Sequence, residues 1–410
     1  MKKLLCCLLA FSLAFAFVAC KTEEPETTTQ ATTQATTAPT EEVLSKDGVL
    51  AKVSYTVTDE IAVEQGNVVV ATVNGRELTN GALQIFFKMQ VADFLNTNAA
   101  YLSYMGLDYT KSLSTQTCYY DESLNWEQYF VSVAVETWLN YQWIYSLTVE
   151  DGYMPSEALR TSLEQLPTDI DALAVEEGFE SGDAFIQDRF GSTATMEDYV
   201  NYCRLMYVSS EYINVTPTDQ ELEEFYQANE AFFVDNSVDK ESGPMVNVRH
   251  ILLQPHSHEE EGEQTDTTES TYSEDQWADC LQHAEELLAQ WQEGDATEES
   301  FAELANTYSA DGGSNTTGGL YTGITSTTSF VPEFLEWCMD ENRQVGETGI
   351  VKTDYGYHIM YFAYTQPLWK YYATQYYLSD RTDQLLASCK ETWPAEIDYA
   401  KIALPELEIQ

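Results

Sequence analysis

Two apolar strands, each with a histidine on its apolar face, restrict this chain more than any other feature. They are Val246–Leu253 and Thr353–Phe362. Side chains alternate between faces in extended backbone, so Val246, Val248, His250 and Leu252 share one side of the first strand. His358, Met360 and Phe362 share one side of the second. An imidazole set into an apolar face must find a hydrogen-bond partner. Two such rings can satisfy each other.

The residues between the strands fit a compact α/β domain. Gln276–Gln292 has helical periodicity, with Trp277, Cys280, Leu281, Ala284, Leu287, Leu288 and Trp291 on one stripe and Gly294 as its stop. Asp295 and Glu298 have the spacing of an N-cap and its reciprocal partner. The short helix that follows turns Phe301, Leu304, Ala305 and Tyr308 inward. A glycine-rich loop over 309–320 and the segment 330–338 complete the stretch.

Val248–Leu252, Phe301–Ser309, Gly318-Gly319, Val331–Phe334 and Val351–His358 stand in the order and rough spacing of a parvulin-type peptidyl-prolyl isomerase domain. Five blocks in order make a specific signal. With its flanks, the chain resembles the extracytoplasmic foldases of the PrsA and SurA type. The resemblance implies an α+β protein: a mostly helical chaperone domain at 67–235, and an inserted domain at 245–364 with a four-stranded antiparallel sheet and surrounding helices. A C-terminal segment, 365–410, would return to pack on the chaperone domain.

The resemblance also implies the site. His250 and His358 would form a paired-imidazole centre, with Thr353 holding one ring and Asp311 acting electrostatically beside the substrate carbonyl. Phe334, Phe330 and Leu320 would form a socket for the proline ring. Rotation about an X–Pro bond faces a barrier of about 18–20 kcal/mol, which is lost amide resonance. Its catalysis needs an apolar socket and polar groups that fit the twisted amide, and no metal or cofactor. The expected partners are unfolded or partly folded exported polypeptides with X–Pro bonds, and a homodimer is compatible with the family. A holdase whose isomerase domain is inert is the alternative.

Across 410 residues, Lys+Arg number 19 against 68 Asp+Glu, a net charge of −49. That excludes a binder of the phosphate backbone. Lys2 and Lys3 precede an apolar run to Val18 that is too short to span a bilayer, and Val18-Ala19-Cys20 resembles a lipoprotein cleavage box. Residues 1–19 are therefore expected to be a signal peptide, and Cys20 to carry a diacylglycerol. That would place the protein on the outer face of a Gram-positive cell membrane. The Thr/Glu-rich tract that follows cannot bury apolar surface, so 20–66 reads as a disordered tether. Folding is expected to start at Val68–Val73, followed by the turn Asn74-Gly75 and a helix capped by Asn80.

Cys118, Cys203, Cys280, Cys338 and Cys389 have wide, irregular gaps and no CxxC, which argues against a disulfide framework. His256 and His258 beside acidic residues could ligate a metal, but such a loop is more often solvated charge, and no metal is assigned. Residues 254–276 contain no Lys or Arg, which argues against recognition of a phosphorylated residue before proline. The 27 tyrosines and eight tryptophans could line a groove for unfolded chain, although core packing is the commoner role for any one of them.

Overall fold

The computed structural model describes residue 50, residues 54–255 and residues 272–406. The leader, Cys20, most of the tether and the loop at 256–271 with His256 and His258 lie outside the described residues. The described chain divides into two compact units. One comprises the residues up to Thr216 together with those from Leu378 onward; the other is Pro217–Tyr377.

The first unit contains β1 (Thr56–Val57), α1 (Asp59–Gln65), β2 (Val69–Val73), β3 (Arg76–Thr79), α2 (Asn80–Thr97), α3 (Trp126–Glu150), α4 (Glu157–Glu176), α5 (Gly182–Phe190) and α6 (Met196–Ile213). Order begins before Val68, which corrects the tether's expected end at residue 66. Tyr55 is fully buried and donates its hydroxyl to the carbonyl of Leu50, while Thr56 and Val57 pair with Leu404 and Pro405. An aromatic ring and a strand that find partners in the core supply the apolar burial that orders this segment.

The α2 cap also differs from expectation. Thr79 is the N-cap, accepting from the backbone of Ala82, and Asn80 is the first helical residue. The fully buried Asn80 side chain instead donates to the carbonyls of Gln65 and Lys401 and accepts from the amide of Ala403. It thus fastens the C-terminal segment. Helix α3 starts with a reciprocal Asn125–Gln128 capping box and is buried nearly all round, as Trp126, Tyr129, Phe130, Trp138 and Ile144 attest. A helix apolar on every side must lie inside its unit.

The second unit opens with α7 (Asp219–Ala228) and α8 (Glu230–Asp235). It continues with β4 (Pro244–Leu253), α9 (Glu274–Glu293), α10 (Glu298–Tyr308), β5 (Leu320–Ile324), α11 (Pro332–Cys338), β6 (Thr348–Thr353) and β7 (Gly356–Pro367). Helix α12 (Leu368–Thr392) starts in this unit, and its part from Leu378 onward, β8 (Glu396–Ile397) and β9 (Leu404–Pro405) belong to the first. The division between units falls at Thr216 and within α12, rather than at 235–245 and 364. The reason is a separate small core in which Leu222, Tyr226, Phe233 and Val238 bury Ala373 of α12.

Strands β5-β4-β7-β6 make one antiparallel four-stranded sheet. One face carries Ile251, Leu253, Tyr357, Ile359 and Tyr361 against α9 and α10; the other carries Val246, Val248, Val351, Met360 and Phe362 against α11. The alternation in β4 and β7 is that read from the sequence. Thr353 does not begin the second histidine strand, however. It ends β6, and a turn at Asp354-Tyr355 leads into β7, where Gly356 (φ 144°) lies so close to the carbonyl of Leu253 that an added Cβ would sit 2.1 Å from it.

The cap of α10 is Thr297, partnered by Ser300, rather than Asp295 with Glu298. Ala296 takes φ 49°, which breaks the chain away from helical geometry between Asp295 and the helix. Cys118, Cys203, Cys280, Cys338 and Cys389 are buried free thiols. Among the described residues no helix is long and apolar enough to cross a membrane.

Candidate active site

Strand register brings the polar residues into line. His250 of β4 lies opposite Met360 and His358 of β7 opposite Leu252, so the two histidines are diagonal neighbours on one face. Val351 of β6 lies opposite His358, which puts Thr353 at the next diagonal position. The row continues from His250 to Asp311, in the loop after α10.

The contacts follow that row. His250 Nδ1 lies 3.0 Å from His358 Nδ1, and Thr353 Oγ1 lies 2.8 Å from His358 Nε2. His250 Nε2 lies 2.8 Å from Asp311 Oδ2. The Asp311 carboxylate also accepts from the hydroxyls of Ser314 and Tyr321 and from the amide of Gly313. At the far end, the amide of Tyr355 donates to Thr353 Oγ1.

Electrostatics fix the direction of this chain. Burial raises the Asp311 pKa, but the bonds from Ser314, His250, Gly313 and Tyr321 outweigh it and bring it down to about 2. Burial lowers the His250 pKa against the pull of Asp311, and burial together with His250 lowers that of His358 to about 4. At neutral pH both rings are therefore uncharged beside an ionised carboxylate. An ionised carboxylate only accepts, so His250 carries its proton on Nε2 and leaves Nδ1 as an acceptor. His358 then donates from Nδ1 and accepts at Nε2 from the hydroxyl of Thr353. Every donor and acceptor in the row is satisfied in one direction.

Backbone geometry holds the loop against the row. Gly319 takes φ +69°, and an added Cβ would stand 2.1 Å from the carbonyl of His250. The amide of His250 donates to the carbonyl of Gly319 at 2.9 Å. Arg249, paired with Glu298, donates to the carbonyls of Thr317 and Gly318 from the sheet's other face.

The apolar side of the site is aromatic. The Phe334 ring lies 5.2 Å from that of His250 and 4.9 Å from that of Phe330, with Tyr321 5.1 Å from Phe330. Leu320 does not join them. It lies opposite Arg249 in the register, on the other face, whereas Tyr321 lies opposite Val248 on the histidine face. Tyr321, one residue on, faces the histidines where Leu320 was expected. Ser314, fully buried, was also missed; its spacing of three residues after Asp311 in a glycine-bearing loop was the available signal.

Exposure sorts the roles. His250, His358 and Thr353 are 3%, 5% and 5% exposed, while the side chain of Asp311 is 20% exposed. Solvent reaches the carboxylate and the half-buried rings of Tyr321 and Phe330, and the imidazoles lie beneath. The arrangement can present a fixed anion beside an aromatic surface. Among the described residues no cluster of His, Cys, Asp and Glu could hold a metal.

Residues 235–363 match the family model of the PPIC-type PPIase domain. No curated protein matches the chain. Among solved structures it is similar to PrsA from Bacillus subtilis, with 14% identity, a TM-score of 0.28, and coverage of 80% of this chain and 93% of that one. It is similar also to the peptidylprolyl isomerase PrsA from Bacillus anthracis, with 15% identity, a TM-score of 0.23, and coverage of 63% and 96%. A structure from work on SurA-like chaperones of Campylobacter jejuni gives 17% identity, a TM-score of 0.21, and coverage of 79% and 96%.

Proposed function

We propose that this chain, whose residues 235–363 are a PPIC-type domain, is a peptidyl-prolyl cis-trans isomerase and foldase for exported polypeptides. In this reading a lipid on Cys20 holds it at the outer face of the cell membrane, and the tract after Cys20 gives it reach. The first unit binds unfolded client, and the second turns X–Pro bonds. The observation that carries the reading is the single hydrogen-bonded row Thr353–His358–His250–Asp311 ending beside Tyr321, Phe330 and Phe334.

The chemistry follows from the amide itself. A planar amide places more negative charge on its oxygen than a twisted one, because resonance is intact only when planar. An anion held near that oxygen therefore raises the planar form relative to the twisted form. Asp311 is that anion, and its donors keep it charged. The aromatic surface holds the proline ring while the preceding carbonyl turns. The imidazoles and Thr353 touch no substrate; they position Asp311 and fix its hydrogen bonds. No bond to substrate is made or broken.

A holdase reading has one observation in its favour: the Tyr321 hydroxyl is engaged with Asp311 at the face a substrate would approach. Refolding of a protein limited by prolyl isomerisation separates the two. The full chain is expected to speed the slow phase catalytically, and Asp311→Ala to remove most of that effect. Suppressed aggregation with an unchanged slow phase would select the holdase.

A further inference from the structure

In the first unit, a cavity of about 370 Å³ opens between α3, α4 and α6. Val149, Leu163 and Val208 supply apolar wall, and both Arg160 and Arg204 line it. Two arginines in the lining of one cavity, Arg160 exposed and Arg204 half-buried, stand out in a chain where acidic residues outnumber basic ones 68 to 19. Arg189, Arg249 and Arg343 each pair with a carboxylate, whereas Arg160 and Arg204, like Arg76 and Arg381, form no such pair among the described residues. Arg204 donates to the neutral amide oxygen of Asn201, and Arg160 has no partner among the described residues. Glu164 also lines the cavity without forming an ion pair to either. The hydroxyl of Tyr145, another lining residue, has no hydrogen-bond partner among the described residues.

We infer that this cavity is a binding site for an apolar carboxylate: a chain-terminal carboxylate that follows an apolar side chain, or a free hydrophobic acid. The planar fork of Arg matches a carboxylate in two-point contact, and Tyr145 supplies a further donor. The volume falls within the range of small-ligand sites, and the apolar wall suits the adjoining side chain. Glu164 sets the charge class. With Glu211 bonded to the lining Tyr153 as a second carboxylate, the two guanidiniums favour a ligand with a single negative charge over a phosphate dianion. The site does not depend on the isomerase reading.

Calorimetric titration of the full chain tests this with N-acetyl-Ala-Phe as the free acid, the same dipeptide as its amide, 3-phenylpropionate, and phenyl phosphate. The free acid is expected to bind at least about tenfold more tightly than the amide, since the amide forgoes the charge-assisted bonds. Arg160→Gln and Arg204→Gln are each expected to weaken the free acid by a similar factor, with Arg76→Gln, a change outside the cavity, leaving it unaltered. If 3-phenylpropionate binds as well as the dipeptide acid, the ligand is a hydrophobic acid; if the dipeptide acid binds better, it is a peptide terminus. Equal binding of acid and amide, tighter binding of phenyl phosphate, no binding, or indifference to both cavity substitutions would overturn the proposal.

Discussion

Asp311 is the residue on which the site turns, because four donors converge on one carboxylate. Asp311→Asn keeps the size of the side chain and removes the charge. It is expected to lower isomerase activity at least about tenfold, which corresponds to about 1.4 kcal/mol of barrier, while the domain stays folded by circular dichroism. The buried rings yield a separate pH prediction. Above pH 6.5 His358 is neutral in both folded and unfolded chain, and its stability contribution is intact. Below that the unfolded chain takes up a proton that the folded chain refuses until about pH 4, so stability is lost as pH falls from 6.5 toward 4. The loss attributable to this ring is about 3 kcal/mol at most. Asp311 stays ionised throughout that window. Urea denaturation at pH 7 and pH 4.5 checks this: a His358→Gln variant is expected to lose less stability between the two than the unaltered chain.

At the scale of elements, strand alternation was the legible part. The shared face of Val246, Val248 and His250, and that of His358, Met360 and Phe362, follow from a period of two, and the structure keeps both. What the sequence hid was parity across irregular backbone. Gly318 and Gly319, both with positive φ, precede β5 and decide which of Leu320 and Tyr321 faces the histidines; no periodicity crosses such a turn. The same holds for Thr353, separated from His358 by a turn, and for Asp295, cut off from its helix by the left-handed Ala296. Gly319→Ala tests how far the loop depends on close approach. A methyl group 2.1 Å from the His250 carbonyl, in a conformation L residues avoid, is expected to cost about 2 kcal/mol or more and to move the histidine resonances in NMR spectra. Thr297→Ala, by contrast, is expected to cost about 1 kcal/mol through the lost α10 cap, without moving those resonances.

For the molecule as a whole, the discontinuous first unit was legible only through resemblance to a family, since nothing local in 393–410 announces a partner over three hundred positions earlier. The partners are explicit in the structure. β8 pairs with β2, β9 pairs with β1, Tyr399, Ile402 and Leu404 are buried, and Asn80 bonds to Lys401 and Ala403. Removing residues 393–410 is therefore expected to destabilise the first unit by more than about 4 kcal/mol, from three buried side chains alone. Hydrogen exchange should show protection lost in α2 and β2 but kept in β4 and β7, whose core lies within the other unit. Loss of protection in both sets together would mean that the units do not hold separate cores.

The most direct test of the central claim is exchange NMR on a short Ala-Pro peptide, comparing cis–trans interconversion with the full chain and with its Asp311→Ala variant. A fixed anion beside Tyr321, Phe330 and Phe334 predicts that catalytic amounts of the unaltered chain raise the exchange rate well above the uncatalysed value, and that the variant restores it nearly to that value. Identical exchange in the presence of both proteins, or exchange no faster than in buffer, would contradict the account.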